Sequence, residues 1–154
     1  MSQKPYPMSK SFFVFLCMTL FVSTTIVSQE LVSWRDLADV KFEPKYNEKY
    51  GIDFLTPTFG DGVKALKGKK IKITGYFLDL TGNGSIFLVS QFPMSSCFHC
   101  GAAGPETVIE VNFKDKPPFR TDQIIEVTGT LDLNATDVSH CNYILSDVTG
   151  KLVN

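Results

Sequence analysis

Apolar and polar positions alternate most cleanly in "KKIKITGYFLDL", where Ile71, Ile73, Gly75 and Phe77 fall on one side and Lys70, Lys72, Thr74 and Tyr76 on the other. A period of two held over eight residues predicts a half-buried strand. "SIFLVS" predicts a second, mostly apolar strand, and "TVIEVNF" a third with Ile109, Val111 and Phe113 on one face. "IIEVTGTLDL" and "CNYILSDV" supply two more. "TGNG" at 81–84 has the residues of a hairpin turn at positive φ, and the two prolines of "KPPFRTDQ" require a loop. No window after Leu80 carries a helical period. The pattern predicts an all-β fold of five short strands.

Ahead of these strands, residues 29–67 mix one short alternating stretch (Val40, Phe42) with turn residues and aromatics. They are expected to form a short strand and an irregular lead-in. Trp34, Phe42, Phe54 and Phe59 would pack this lead-in onto a barrel domain at 68–154. "IKITGYFLDL" and "IEVTGTLDL" nearly repeat each other, each with a central Thr-Gly. A glycine in mid-strand suits a place where a sheet coils sharply to close on itself, although strands also resemble one another by composition alone. The strand spacing, the glycines in the first and fourth strands and the longer third-to-fourth connection resemble an OB-fold barrel from Gly68 to Val153. That resemblance implies that the third and fifth strands lie side by side in parallel, which would bring residues 97–100 and 140–141 to one end of the barrel.

The first 28 residues follow a different pattern. Lys4 and Lys10 precede an apolar run from Phe12 to about Val27 that softens into Ser and Thr, the three parts of a secretory signal peptide. Cleavage is expected after Ser28, and a retained membrane anchor is the alternative, although the run is slightly short for a full span. The bulky Leu16 before Cys17 argues against a lipoprotein site. The protein is therefore expected to be exported, to a periplasm or outside the cell. Taking Lys4 and Lys10 from the chain's 15 basic residues leaves 13 against 16 acidic ones, a net charge of −3. That balance gives no reason to expect a nucleic-acid partner. Lys64, Lys67, Lys69, Lys70 and Lys72 form the one basic cluster, read as a solvated strand edge.

The candidate chemistry lies in "SSCFHCGAAGPE". Three cysteines follow residue 28, Cys97, Cys100 and Cys141, and the chain's only histidines, His99 and His140, each sit beside one of them. An odd count in an oxidising compartment leaves one thiol over, unless something other than a disulfide holds them. Three readings stay open. The favoured one is a thiophilic metal site at Cys97, His99, Cys100 and Cys141, with His140 as ligand or supporting partner. The i, i+3 spacing lets a tight turn aim two thiolates at one ion, Zn2+ where sulfurs are many and Cu+ where fewer thiolates join an imidazole. The second is a structural disulfide from Cys141 to Cys97 or Cys100 in a module that docks a protein partner. It would close a loop of about 40 residues and contribute about 2–4 kcal/mol. In the third, Cys97 is a redox nucleophile, since Cys-x-His-Cys resembles the active-site motif of periplasmic thiol oxidases of the thioredoxin class. In those enzymes a helix follows the first cysteine, whereas here a strand pattern begins within a few residues.

A c-type haem is excluded because residue 101 is Gly where the ligand His would stand. From Trp34 onward the chain also loosely resembles an uncharacterised family of exported bacterial proteins. In that family a Gly-Tyr strand precedes a Cys-x-His segment, here Gly75, Tyr76, Cys97 and His99. The family continues into a proline-rich run, whereas this chain has Cys100, Gly101 and "AAGPE". The sequons at Asn83 and Asn134 lie in predicted turns where Asn is common anyway. Asp79, Asp132 and Asp137 are read as solvated strand ends, so binding is expected and turnover is not.

Overall fold

The computed structural model describes residues 29–82 and 84–153, so the expected signal segment at 1–28 lies outside the described residues. Five strands close a barrel: β4 (Lys70–Asp79), β5 (Phe87–Ser90), β6 (Val108–Phe113), β7 (Ile124–Leu133) and β8 (Tyr143–Leu152). Neighbours run β4-β5-β6-β8-β7, and β7 pairs back onto β4. All pairings in that ring are antiparallel except β6 with β8, which are parallel with Glu110 opposite Ile144. The closed five-strand barrel is compatible with the OB-like fold, and the third and fifth barrel strands lie side by side in parallel, as that resemblance implied.

The alternation in β4 translates directly into burial. Ile71, Ile73, Gly75 and Phe77 face inward, where they meet Ile109, Val111, Ile125, Val127, Leu131 and Leu145. The near-repeat also has a geometric cause. A Cβ on Gly75 would lie 2.5 Å from the Ser90 carbonyl oxygen, and one on Gly129 would lie 2.8 Å from that of Ser146. At Gly129 the β7–β8 register shifts. Both glycines mark close backbone approach where the sheet closes.

The lead-in is more regular than the sequence suggested. It contains β1 (Glu30–Leu31) parallel to β4, a helical turn α1 (Trp34–Leu37), and an eight-on-eight hairpin of β2 (Val40–Asn47) and β3 (Ile52–Phe59). A second turn, α2 (Asp61–Lys64), follows. The hairpin was missed because Pro44 and Pro57 interrupt its pattern. Both are tolerated because β2 and β3 pair only with each other, which leaves each an open edge. Val32, Leu37, Phe59, Val63 and Leu66 join the barrel core. Trp34 packs against that core and donates its indole N–H to the Thr74 carbonyl at 2.9 Å. Phe42 and Phe54 do not reach the core: both are half-buried, and Phe54 packs edge-on against Tyr50 instead.

Four lysines of the basic cluster are within salt-bridging distance of acids, Lys64 with Asp61, Lys67 with Asp132, Lys69 with Glu30 and Lys72 with Glu126. That agrees with a solvated charged face. Among the described residues no helix is long and apolar enough to cross a membrane.

Candidate functional site: a sulfur-bearing turn beside a groove

Between β5 and β6 the chain makes three short 3-10 turns, and the first two, Met94–Ser96 and Phe98–Cys100, carry the cysteines; Pro105–Thr107 is the third. Their hydrogen bonds run at i to i+3: the Cys97 N–H donates to the Met94 carbonyl at 3.4 Å and the Cys100 N–H to that of Cys97 at 3.0 Å. Gly101, at φ 74°, closes the second turn through its N–H to the Phe98 carbonyl, in the left-handed region where Gly is strain-free. Asp122, in the β6–β7 connection, accepts the Met94 N–H at 2.7 Å and pins the start of the segment.

The Cys97 side chain is fully buried in a small apolar cluster with Leu78, Leu88 and Val108. Cys100 is exposed, and its thiol donates to the Met94 carbonyl at 3.0 Å. Loss of solvent, followed by the charge of the neighbouring Cys97, pushes the Cys100 thiol up. Burial holds the His99 imidazole below its usual value, so it is neutral at neutral pH.

The second group sits on the loop 134–142 before β8. Asn134 organises this loop. Its side-chain oxygen Oδ1 accepts from the N–H groups of Thr136 and Asp137, and its side-chain Nδ2 donates to the carbonyls of Asp137 and Cys141. The loop so fixed turns His140 onto β6, where Nδ1 donates to Glu110 Oε1 at 2.9 Å. The Cys141 N–H donates to the same carboxylate at 3.2 Å. Cys141 packs against the apolar cluster that contains Cys97. Burial, then the Glu110 charge, push its thiol up to about 12, so it stays protonated.

Barrel closure thus carries both groups to one end, as the topology implied, but it joins them only partly. Cys97 and Cys100 share one turn, and Cys141 packs against the apolar cluster that contains Cys97. His140 is engaged by Glu110, and the His99 ring lies edge-on to Phe98 at 5.3 Å. Among the described residues no three Cys, His, Asp or Glu side chains converge on a point where one ion could be held. The expected set of Cys97, His99, Cys100, His140 and Cys141 is therefore not drawn together as a unit. The reason is local: the Asn134-braced loop and the outward-facing Glu110 claim His140. Cys97, Cys100 and Cys141, the cysteines among the described residues, are free thiols.

A groove of about 880 Å3 opens beside the turn. One wall is the β2–β3 hairpin, with Tyr46, Phe54 and Leu55, and the other carries Phe98, His99 and the His140–Glu110 pair. Its size falls in the range of ligand clefts. Sequence reasoning missed Glu110, whose signal was its outward position on β6, and the groove itself, which needs the hairpin. No known family, curated protein or solved structure matches this chain.

The His140–Glu110 pair gives a pH prediction. The hydrogen bond to Glu110, then its charge, raise the His140 pKa. Such a group stabilises the fold fully below its unfolded pKa, and that stabilisation fades as pH rises through the raised folded value. With the imidazole side chain 51% exposed, the contribution is under about 1 kcal/mol. In an NMR titration His140 is expected to titrate above the ordinary histidine range and to fall back in Glu110→Gln. An unchanged midpoint in that variant would contradict the pairing.

Proposed function

We propose that the protein is an exported binding domain that holds a thiophilic metal ion through Cys97 and Cys100. The observation that supports this reading is the placing of both cysteines on one glycine-terminated turn, where the Cys100 N–H donates to the Cys97 carbonyl, with Cys97 buried and Cys100 open to solvent. A soft ion would approach from the Cys100 side and displace both thiol protons. Zn2+ asks for four donors, whereas a pair of thiolates suits Cu+, so this donor set favours copper over zinc. His99 stands between the two cysteines in the turn and is neutral, the protonation state of a ligand, and Cys141 packs against the cluster that contains Cys97. The thiol-redox alternative would need Cys97 as an accessible nucleophile, and its burial works against that. The loose likeness to exported proteins with a Cys-x-His segment fits export and adds no role.

The test is Cu+ binding by the reduced, anaerobic protein in competition with a chromophoric chelator. Cys100→Ser, at an exposed position that spares the core, is expected to weaken binding at least tenfold. Equal affinity in that variant would remove the site.

A second reading is favoured by the groove: docking of a protein partner across the barrel end. The hairpin exposes Tyr46, Tyr50, Ile52 and Leu55, of which Tyr46 and Leu55 line the groove, and grouped apolar side chains left in solvent suit a docking surface.

A further inference from the structure

The His140–Glu110 pair has no part in the thiol site, yet it is a firmly built polar feature of the groove. The loop that carries His140 is braced by the Asn134 side chain, which bonds to the backbone of Thr136, Asp137 and Cys141. Both Glu110 oxygens are taken: His140 Nδ1 lies 2.9 Å from Oε1 and 3.1 Å from Oε2, and the Cys141 N–H donates to Oε2 at 3.2 Å. Glu110 therefore holds the ring in place. With Nδ1 engaged, Nε2 is the nitrogen left for a ligand, on a half-exposed ring that borders the groove.

Aromatic side chains border the same space, Tyr46 and Phe54 from the hairpin and Phe98 from the barrel side. A cleft of about 880 Å3 with apolar walls and a few fixed polar groups has the form of a small-molecule site. The polar head it takes follows from donors and acceptors. A carboxylate is met only by a protonated imidazole, and Asp53 and Asp137 border the same groove and oppose it. An ammonium is met only by the neutral ring. A hydroxyl serves both states, donating to the neutral Nε2 or accepting from the N–H of the protonated ring. A phenol adds an aromatic ring that Tyr46, Phe54 and Phe98 can meet edge-on or offset.

We infer that the groove binds a small neutral aromatic ligand of the phenol class, its ring between Phe98 and the hairpin aromatics and its hydroxyl on His140 Nε2. Glu110 is the positioning residue, which fixes the imidazole through Nδ1. Binding is non-covalent. The site is separate from the thiol pair, so it can stand whether or not that pair holds a metal.

The test titrates para-ethylphenol into the isotopically labelled full-length chain and follows it by NMR. Two controls run beside it: para-ethylanisole keeps the ring and loses the donor, and para-ethylbenzoate carries a negative charge. Saturable shifts at Tyr46, Phe54, Phe98 and His140, with movement of the His140 ring nitrogens, are expected for the phenol. The two controls should bind about tenfold more weakly or worse, the scale of one hydrogen bond. His140→Ala should lose the phenol by a similar factor, while Cys100→Ser should bind it as the parent does. The comparison of the three probes uses the parent chain, so it does not depend on how well His140→Ala folds. The absence of saturable shifts in the groove, or equal binding of all three probes, would overturn the inference. Undiminished phenol binding by a folded His140→Ala protein would overturn it as well.

Discussion

Gly75→Ala is expected to destabilise the protein by about 3 kcal/mol, the upper end of the cost of overpacking a core. The added carbon would lie 2.5 Å from the Ser90 carbonyl oxygen, 2.8 Å from Val89 Cγ1 and 2.9 Å from Trp34 Cζ2. None of the three can yield cheaply. Ser90 is paired to Tyr76 in the β4–β5 ladder, so moving its carbonyl breaks that register. Trp34 is tied to Thr74 through its indole N–H, and Val89 is fully buried. Denaturant unfolding should show the midpoint falling with little change in slope. Lys70→Ala, at an exposed position of the same strand, is the control and should stay within about 0.5 kcal/mol of the parent. A Gly75→Ala protein as stable as that control would mean that β4 and β5 do not approach as closely here as the barrel requires.

The barrel was legible because its strands obey a period of two with one face buried, and because glycine stands where no side chain fits. Gly75 and Gly129 were conspicuous in the sequence for the same reason that they are crowded in the fold. The β2–β3 hairpin was not legible. Its alternation is broken by Pro44 and Pro57, and its pairing is satisfied internally rather than by the barrel, so no apolar face repeats along it. Phe42 and Phe54 misled for a related reason, since an aromatic residue can cover a hairpin face as well as fill a core.

The site was legible to the extent that topology decides it. Parallel β6 and β8 bring the segments before them to one end, and that follows from strand order alone. Side-chain partnerships do not follow from strand order. His140 finds Glu110 because Asn134 folds the intervening loop back on itself, and nothing in the spacing of His and Cys announces that bond.

Leu37→Ala is the second large effect, at about 2–5 kcal/mol, the range for emptying a fully buried leucine site. Its meaning lies in where Leu37 sits. It belongs to the lead-in, yet it is completely buried in the barrel core. Its own carbonyl accepts the hydroxyl of Tyr143 at 2.7 Å, across 106 residues of sequence. Tyr143 is itself buried and begins β8, the strand that follows the His140–Cys141 loop. Tyr143→Phe should therefore add a smaller loss, about 1–3 kcal/mol, by leaving a buried carbonyl unpaired. If the lead-in were an appendage, Leu37→Ala would loosen it locally and leave the barrel transition in place. If it is part of one core, the whole domain should unfold earlier in a single step. Trp34, the chain's only tryptophan, reports on the lead-in by fluorescence, and far-ultraviolet circular dichroism reports on the strands. Coincident transitions that shift together in the variant are expected. Separate transitions would divide the molecule at the lead-in, and the groove between hairpin and barrel would then lose one of its walls before the barrel itself unfolds.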